Sequence, residues 1–496
     1  MTNSSPALAP IAFGTDGWRG LLDVDLTATN VARVATALAD YLRTTPGPRT
    51  AAVGYDGRRN SPEFARLLAE ILSGNGIAVH LSDGIGPTPA LAYAVRAQGL
   101  QVGVMVTASH NPAAYNGLKF KAGYGGPFLT EDTHRVELLL DCSRRKQSSV
   151  NIHIEDFNAP YLAHLATLVD LNCIRQAQLP VLIDSMHGAG QRLLETLLHA
   201  HGCPADTLAG EARADFGARV AEPIEKNLLP LRDALAADPA RYALGLATDG
   251  DADRLGVLLE TGEWLSAQET ILLLADFVVN GKGISGDLVK TSSVTDKLRA
   301  HLATPTRRVH DVQVGFKYIC EAMLAHDVAF GAEESGGYGL KGHLPERDGL
   351  LSALLVLEML AASGHRTLGA LVAAKRAQFG PIYYDRIDQP YPQADRLTKL
   401  PDLLAAGLTT VAGFAVEHID AFYSSRGVVN GLKFRLAGET RWLLLRASET
   451  EPLMRLYAEG QSAGEVAALL AAGQALTPPP APLPDGEGEL EYSSSF

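Results

Sequence analysis

The chain has little cysteine. Its four residues, Cys142, Cys173, Cys203 and Cys320, lie far apart with no Cys-x-x-Cys pair. That spacing indicates neither a zinc cluster nor a disulfide framework, and it fits a reducing cytoplasm. Positive charge is also scarce: 43 Lys and Arg stand against 56 Asp and Glu, a formal net charge of −13. Sequence-independent nucleic-acid binding needs cations to displace counterions, so this balance argues against it. An anionic ligand would require cations gathered locally. Long hydrophobic runs are missing too. Stretches such as Ile271 to Val279 are too short to span a bilayer, and Met1 to Pro10 lacks a basic start followed by an apolar core. The expectation is a soluble, unexported cytoplasmic protein with no membrane or nucleic-acid partner.

What is present is ample core. With 46% hydrophobic and 20% charged residues, the 496-residue chain sits in the ordinary globular class. The usual ~100 to ~200 residues per domain suggests three or four domains. Strand-like runs alternate with helical patterns: Ala51 to Gly54, a helix from Pro62, Ile77 to Leu81, another helix, then Val102 to Val106. Ser61 before Pro62 and Glu63 reads as a helix start whose side chain caps free amides. The plan recurs with Val181 to Ile183, a helix through Leu198, and Leu244 to Ala247. A third round takes helix Glu269 to Val279, strand Leu288 to Lys290, helix Val294 to Leu302, strand Arg308 to His310, helix Gly315 to Ala325 and strand Val328 to Phe330. Beyond Gln378-Phe379-Gly380-Pro381, a hinge by composition, shorter strands such as Gly431 to Leu436 and Arg441 to Leu445, with a helix near Glu465, read as α+β. The tail from Thr477 to Phe496, rich in Pro, Gly, Glu and Ser, is expected to be disordered.

Four loops carry chemistry. Thr107-Ala108-Ser109-His110-Asn111-Pro112 ends the run Val102 to Val106 and places a hydroxyl where open α/β sheets bind ligands. It also reads as a polar turn with an Asn-Pro break. Asp249-Gly250-Asp251-Ala252-Asp253-Arg254 lies between two apolar runs. Like-charged pairs at ~4 Å cost ~4 kcal/mol each at an effective dielectric near 20, so three converging carboxylates call for a hard cation, Mg²⁺ rather than Zn²⁺. A solvated acidic turn is the alternative. A calcium loop fails, because its sixth position needs Gly and here carries Arg254. Gly331-Ala332-Glu333-Glu334-Ser335-Gly336-Gly337 joins carboxylates and a hydroxyl on a glycine-rich turn, which suits vicinal sugar hydroxyls or is a plain surface turn. Arg446-Ala447-Ser448-Glu449-Thr450-Glu451-Pro452 offers a guanidinium and two hydroxyls to a phosphate, although Arg446 equally suits a rim. A glycine-rich turn, Phe13 to Gly20, adds Arg19.

Taken together these loops resemble the α-D-phosphohexomutase superfamily, the phosphoglucomutases and phosphomannomutases, over residues 11 to about 475 and in the family's loop order. The resemblance implies three similar α/β/α domains and a C-terminal α+β domain around a central cleft. The expected divisions are 1–153, 154–264, 265–377 and 378–475, with a tail over 476–496. It implies that Ser109 carries the phosphoryl group and, with Asp249, Asp251 and Asp253, meets Mg²⁺. Glu333 and Ser335 would bind sugar hydroxyls, and Arg446, Ser448 and Thr450 the distal phosphate. Arg19, Lys119, Arg254 and Lys290 match cations near the phosphoryl group or substrate, and His110 and Lys317 are proton-transfer candidates. Lys317, in Val314-Gly315-Phe316-Lys317, looks like the glucose-type version of its segment. The implied enzyme interconverts glucose 1-phosphate and glucose 6-phosphate through glucose 1,6-bisphosphate, as a monomer or homodimer.

Two departures stand out: Glu449, where relatives often carry Gly or Asn, and Ala332, where many carry Gly or Glu. A carboxylate at Glu449 would repel a phosphate unless turned outward. Rival readings are a phosphomannomutase on the same scaffold, a haloacid-type phosphatase with Asp249 as nucleophile, and a binding module without turnover.

Overall fold

The computed structural model describes residues 11–14, 16–391, 393–424, 427–448 and 452–478, with the backbone alone at 393–397. The chain falls into two compact units, one reaching Ile382 and the other starting at Tyr383.

In the first unit, strands β1 (Trp18–Leu21), β2 (Thr50–Tyr55), β3 (Ala78–Ser82), β4 (Val102–Val106), β5 (Tyr115–Ala122) and β6 (Ile152–Glu155) form a six-stranded sheet in the order β1-β5-β4-β2-β3-β6. Every residue of β4 is buried, as a strand covered on both faces requires, which is why its sequence is continuously apolar. β4 pairs in parallel with β2, while β5 returns antiparallel and sets Lys119 opposite Met105.

A second sheet holds β7 (Val181–Asp184), β8 (Ala205–Leu208), β9 (Leu244–Thr248), β10 (Leu255–Leu259) and β11 (Trp264–Leu265), in the order β11-β10-β9-β7-β8. β9 and β10 form an antiparallel hairpin with Thr248 opposite Leu255, so Asp249–Arg254 is its closing loop. A third sheet joins β12 (Asp287–Thr291), β13 (Val309–Val312), β14 (Val328–Glu333) and β15 (Gly337–Leu340) as β13-β12-β14-β15. One apolar cluster runs through the second and third layers, from Val181 and Leu244 to Phe330 and the enclosed helix Gly349–Ser363.

The second unit is an antiparallel sheet of β16 (Tyr383–Pro390), β17 (Thr410–Val411), β18 (Phe414–Tyr423), β19 (Val429–Leu436), β20 (Trp442–Ala447) and β21 (Leu453–Gly460), ordered β16-β21-β20-β19-β18-β17. Helices Gln393–Ala406 and Ala463–Leu476 complete it, which is the expected α+β plan.

Several local expectations are corrected. Helix Ser61–Gly74 is capped at Asn60 with a left-handed backbone and no side-chain bond, while Ser61 Oγ donates to Asp56. A buried carboxylate left short of donors costs more than a helix-end amide that water can reach. The helix expected from Val294 starts at Lys297, and the one expected through Val279 becomes π-helical over Phe277–Gly281. Residue 153, at the first expected division, lies in β6, which pairs with β3, and residue 264, at the second, lies in β11; neither observation overturns the division. The division after residue 377 falls inside helix Leu368–Phe379. Nor is the tail disordered from its start: Leu476 ends a helix, and buried Thr477 accepts hydrogen bonds from Gln389 Nε2. Residues 479–496 lie outside those described. All four cysteines are free, and no described helix is long and apolar enough to cross a membrane.

Candidate active site

Ser109 stands just past the end of β4, with its side chain buried and its backbone left-handed at φ 53°. A non-glycine residue rarely adopts that conformation without compensating contacts. Here its N–H donates to Thr107 Oγ1 at 2.9 Å and its carbonyl accepts from Arg58 Nη2 at 2.6 Å. So held, Oγ donates to Asp249 Oδ2 across 3.1 Å. His110 Nδ1 lies 3.4 Å from the same oxygen. Burial, then Arg254, Arg19 and Lys119, push the His110 imidazole well below its ordinary range, so it is neutral near pH 7.

The hairpin loop brings one carboxylate oxygen each from Asp249, Asp251 and Asp253 within 4.8 Å of one another, all three side chains buried. Gly250 belongs there because an added Cβ would collide with the Ser109 carbonyl oxygen. Asp249 Oδ1 accepts from the amides of Asp253 and Arg254, yet desolvation, with Asp253 and Asp251 close by, raises its carboxyl well above the usual range. For Asp251, burial also pushes upward, but Lys119 outweighs it and the carboxyl ends lower than usual. Thr88 Oγ1 donates to Asp251 Oδ2 at 2.5 Å. Asp251 Oδ1 and Asp253 Oδ1 are buried without a hydrogen-bond partner among the described residues. Clustered, oxygen-only donors with two such orphaned atoms fit a hard divalent cation such as Mg²⁺.

Cations surround this loop. Lys119 Nζ contacts Asp251 at 2.7 Å, Asp253 at 2.9 Å and Asp16 at 3.3 Å. Arg254 stands 3.9 Å from both Asp249 and Asp253 and 3.8 Å from Glu222. Arg19 Nη1 donates to Asn111 Oδ1 of the serine loop at 2.8 Å. Arg347 joins the acidic loop to the third sheet, bonding Glu333 at 2.8 Å and both Asp16 and Asp253 at 2.9 Å. Ser335 Oγ donates to Glu333 Oε1 at 2.6 Å, so the two residues expected to meet a sugar do meet each other. Glu333 belongs to β14 rather than to a loop, because β15 pairs back on it through Gly337.

Lys290 and Lys317 have other partners within the first unit. Lys290 is fully buried; its Nζ donates to Val294 O at 2.8 Å and is ion-paired with Asp296 at 2.9 Å and Asp311 at 2.8 Å. Lys317, in the first turn of helix Phe316–Ala325, donates to Thr130 Oγ1 at 3.1 Å. In the second unit Arg446 lies within β20, opposite Arg455 on β21. Its Nε is buried with no hydrogen-bond partner among the described residues. Ser448 follows, buried, at the strand end. Thr450 and Glu449 lie outside the described residues.

Sequence reasoning missed Arg347, Asp16, Thr88, Lys121 and the pair Asp56–Arg58. The one available signal was an acid followed two residues later by a base at a strand end, Asp56-Gly57-Arg58.

Family models for phosphoglucomutase/phosphomannomutase match residues 10–144 (alpha/beta/alpha domain I), 159–262 (domain II), 266–379 (domain III) and 391–472 (C-terminal domain). A phosphoglucomutase/phosphomannomutase of Thermococcus kodakarensis is 28% identical over 91% of this chain and 94% of its own. A phosphoglucosamine mutase of Frankia casuarinae is 33% identical over 94% and 96%. The crystal structure of a proposed phosphomannomutase from Thermus thermophilus, 34% identical, superposes with a TM-score of 0.81, covering 95% of this chain and 99% of that one.

Proposed function

This chain belongs to the phosphoglucomutase/phosphomannomutase family, and from that premise we propose that it interconverts glucose 1-phosphate and glucose 6-phosphate through a phosphoserine at Ser109. The observation that carries the reading is the 3.1 Å contact between Ser109 Oγ and Asp249 inside a buried carboxylate cluster. Phosphoryl transfer asks little covalent chemistry of a protein and much positioning and charge neutralisation. Phosphorylated Ser109 gives its group to the free hydroxyl of the hexose phosphate. The resulting 1,6-bisphosphate turns over and returns its other phosphoryl group to the same oxygen.

Asp249, Asp251, Asp253 and the phosphorylated Ser109 would hold Mg²⁺, which supplies charge stabilisation to the transferring group. The protein's own cations, Lys119, Arg19 and Arg254, neutralise the remaining phosphoryl oxygens. His110 would take a proton from an attacking hydroxyl and give it back; its neutral ring and its Nδ1 at 3.4 Å from the serine oxygen support this reading. Glu333 and Ser335 accept from and donate to ring hydroxyls. In the second unit, the buried Nε of Arg446, without a hydrogen-bond partner among the described residues and opposite a second arginine in the strand pair, suits a phosphate oxygen.

A second substrate is favoured by the Frankia relative, a phosphoglucosamine mutase. The Glu333 carboxylate would pair with the ammonium of a 2-amino sugar as readily as it accepts from a hydroxyl. Rates on glucose 1-phosphate, mannose 1-phosphate and glucosamine 1-phosphate, each with catalytic bisphosphate, decide: kcat/KM highest on glucose 1-phosphate supports the reading, and a higher value on either rival replaces it.

A further inference from the structure

Arg58 lies outside the acidic loop and outside every loop that meets substrate in the reading above, yet it is among the most buried charges in the molecule. It sits between β2 and helix Ser61–Gly74. All five of its guanidinium N–H donors are used. Nε bonds Asp56 at 3.1 Å, Nη1 bonds the carbonyls of Pro112 and Tyr115 at 2.9 Å, and Nη2 bonds those of Ser109 and Asn111 at 2.6 Å. Four of the five therefore end on the backbone of one short segment, the one that presents Ser109. A planar, rigid fork is the side chain suited to gathering several carbonyls in one arrangement.

Two further contacts tie this clamp to its surroundings. Its partner Asp56 accepts from Thr107 Oγ1 at 2.6 Å, and Thr107 Oγ1 in turn accepts the Ser109 amide, so both sides of the Ser109 backbone are fixed through one ion pair. The guanidinium also stacks on Phe216, its Cζ 4.6 Å from the ring centroid. The same ring would lie 3.4 Å from a Cβ at Gly250 in the acidic loop. The serine loop and the acidic loop are thus registered against each other through Arg58 and Phe216.

We propose that Arg58 is a positioning residue for phosphoryl transfer: by gathering the carbonyls of Ser109, Asn111, Pro112 and Tyr115 it holds the Ser109 oxygen in line over the Asp249–Asp253 loop. The inference rests on Ser109 being the phosphorylated residue. Because Arg58 is sealed from solvent, it touches no substrate, and its loss acts on turnover rather than on substrate affinity. Misplacing a reacting atom by about 1 Å costs on the order of 100-fold in rate, which sets the size of the effect.

The test uses the full-length enzyme with saturating Mg²⁺ and glucose 1,6-bisphosphate. Intact-mass measurement of phosphorylated Ser109 in the wild type checks the underlying reading separately, and an unphosphorylated wild type overturns that reading, not the clamp alone. With it in place, Arg58→Lys, which keeps charge and stem but cannot reach four carbonyls, is expected to lower kcat about 100-fold with KM within about threefold. Guanidinium ion is expected to restore Arg58→Ala at least about tenfold, and methylammonium, which lacks the planar fork, is not. A kcat for Arg58→Lys within about threefold of wild type, or a fall in kcat matched by a rise in KM, overturns the proposal. Should Arg58→Ala fail to fold, the kcat and KM of Arg58→Lys decide alone.

Discussion

Lys119 Nζ lies 2.7 Å from Asp251 Oδ2, and both side chains are sealed from water. Burial alone would drive the lysine toward neutrality, but Asp251, with Asp253 and Asp16, overrides it and raises its pKa above the ordinary lysine range. Asp251 answers in the opposite sense, lowered by Lys119 despite its burial. The stability held by Asp251 is therefore present above its unfolded pKa of about 3.9 and lost as pH falls through its depressed folded value. That held by Lys119 is present below about 10.4 and lost as pH rises through its elevated one.

Removing Lys119 leaves buried carboxylates uncompensated. Lys119→Met is expected to cost about 3–5 kcal/mol of unfolding free energy in a chelating buffer, measured by urea denaturation. Added Mg²⁺ should recover part of that loss, because the ion compensates the same oxygens. A loss indifferent to Mg²⁺ would contradict the arrangement.

His110 gives a second prediction. Its pKa is depressed first by burial and then by Arg254, Arg19 and Lys119. The stability of the neutral ring is therefore complete above about 6.5 and declines as pH falls from there toward the folded value. In an NMR titration its ring signals should show no midpoint at or above about 6.5. A midpoint in the normal range would mean that the ring is not enclosed, or not beside these cations, as the structure has it.

Gly250 is required by closeness rather than by an unusual backbone, since the space for a Cβ is already taken by the Ser109 carbonyl. Gly250→Ala should push the serine and acidic loops apart and lower kcat on the order of 100-fold, with a modest change in KM. Full activity in this variant would show that the two loops are not in register during turnover.

Much of this was legible in the sequence. Strands buried on both faces leave continuous apolar runs, so β4 and the β9–β10 hairpin, with the polar residues that close them, could be read directly. For Lys290 the sequence did not show its partners Asp296 and Asp311, which come from a following turn and from a neighbouring parallel strand, a register no local pattern reveals. Arg347 was hidden for a related reason, and Arg58 showed only the Asp56-Gly57-Arg58 pattern. A lone arginine reads as solvated surface until the fold encloses it, and each is defined by carbonyls or carboxylates distant in sequence. Thr477 escaped because composition describes the tail as a whole, whereas one hydrogen-bonded threonine extends the ordered edge.

Asp251→Asn removes one of the orphaned oxygens and weakens the pull on Lys119. The Mg²⁺ concentration for half-maximal activity should rise at least about tenfold, the scale at which loss of a charged ligand shifts metal binding. An unchanged Mg²⁺ requirement would move the metal elsewhere.

The most direct test is made on Ser109 itself. After incubation with glucose 1,6-bisphosphate, intact-mass and peptide analysis of the wild type should find one phosphoryl group, on Ser109, and Ser109→Ala should carry none and lose mutase turnover. Rapid interconversion of the two hexose phosphates by Ser109→Ala would contradict the account.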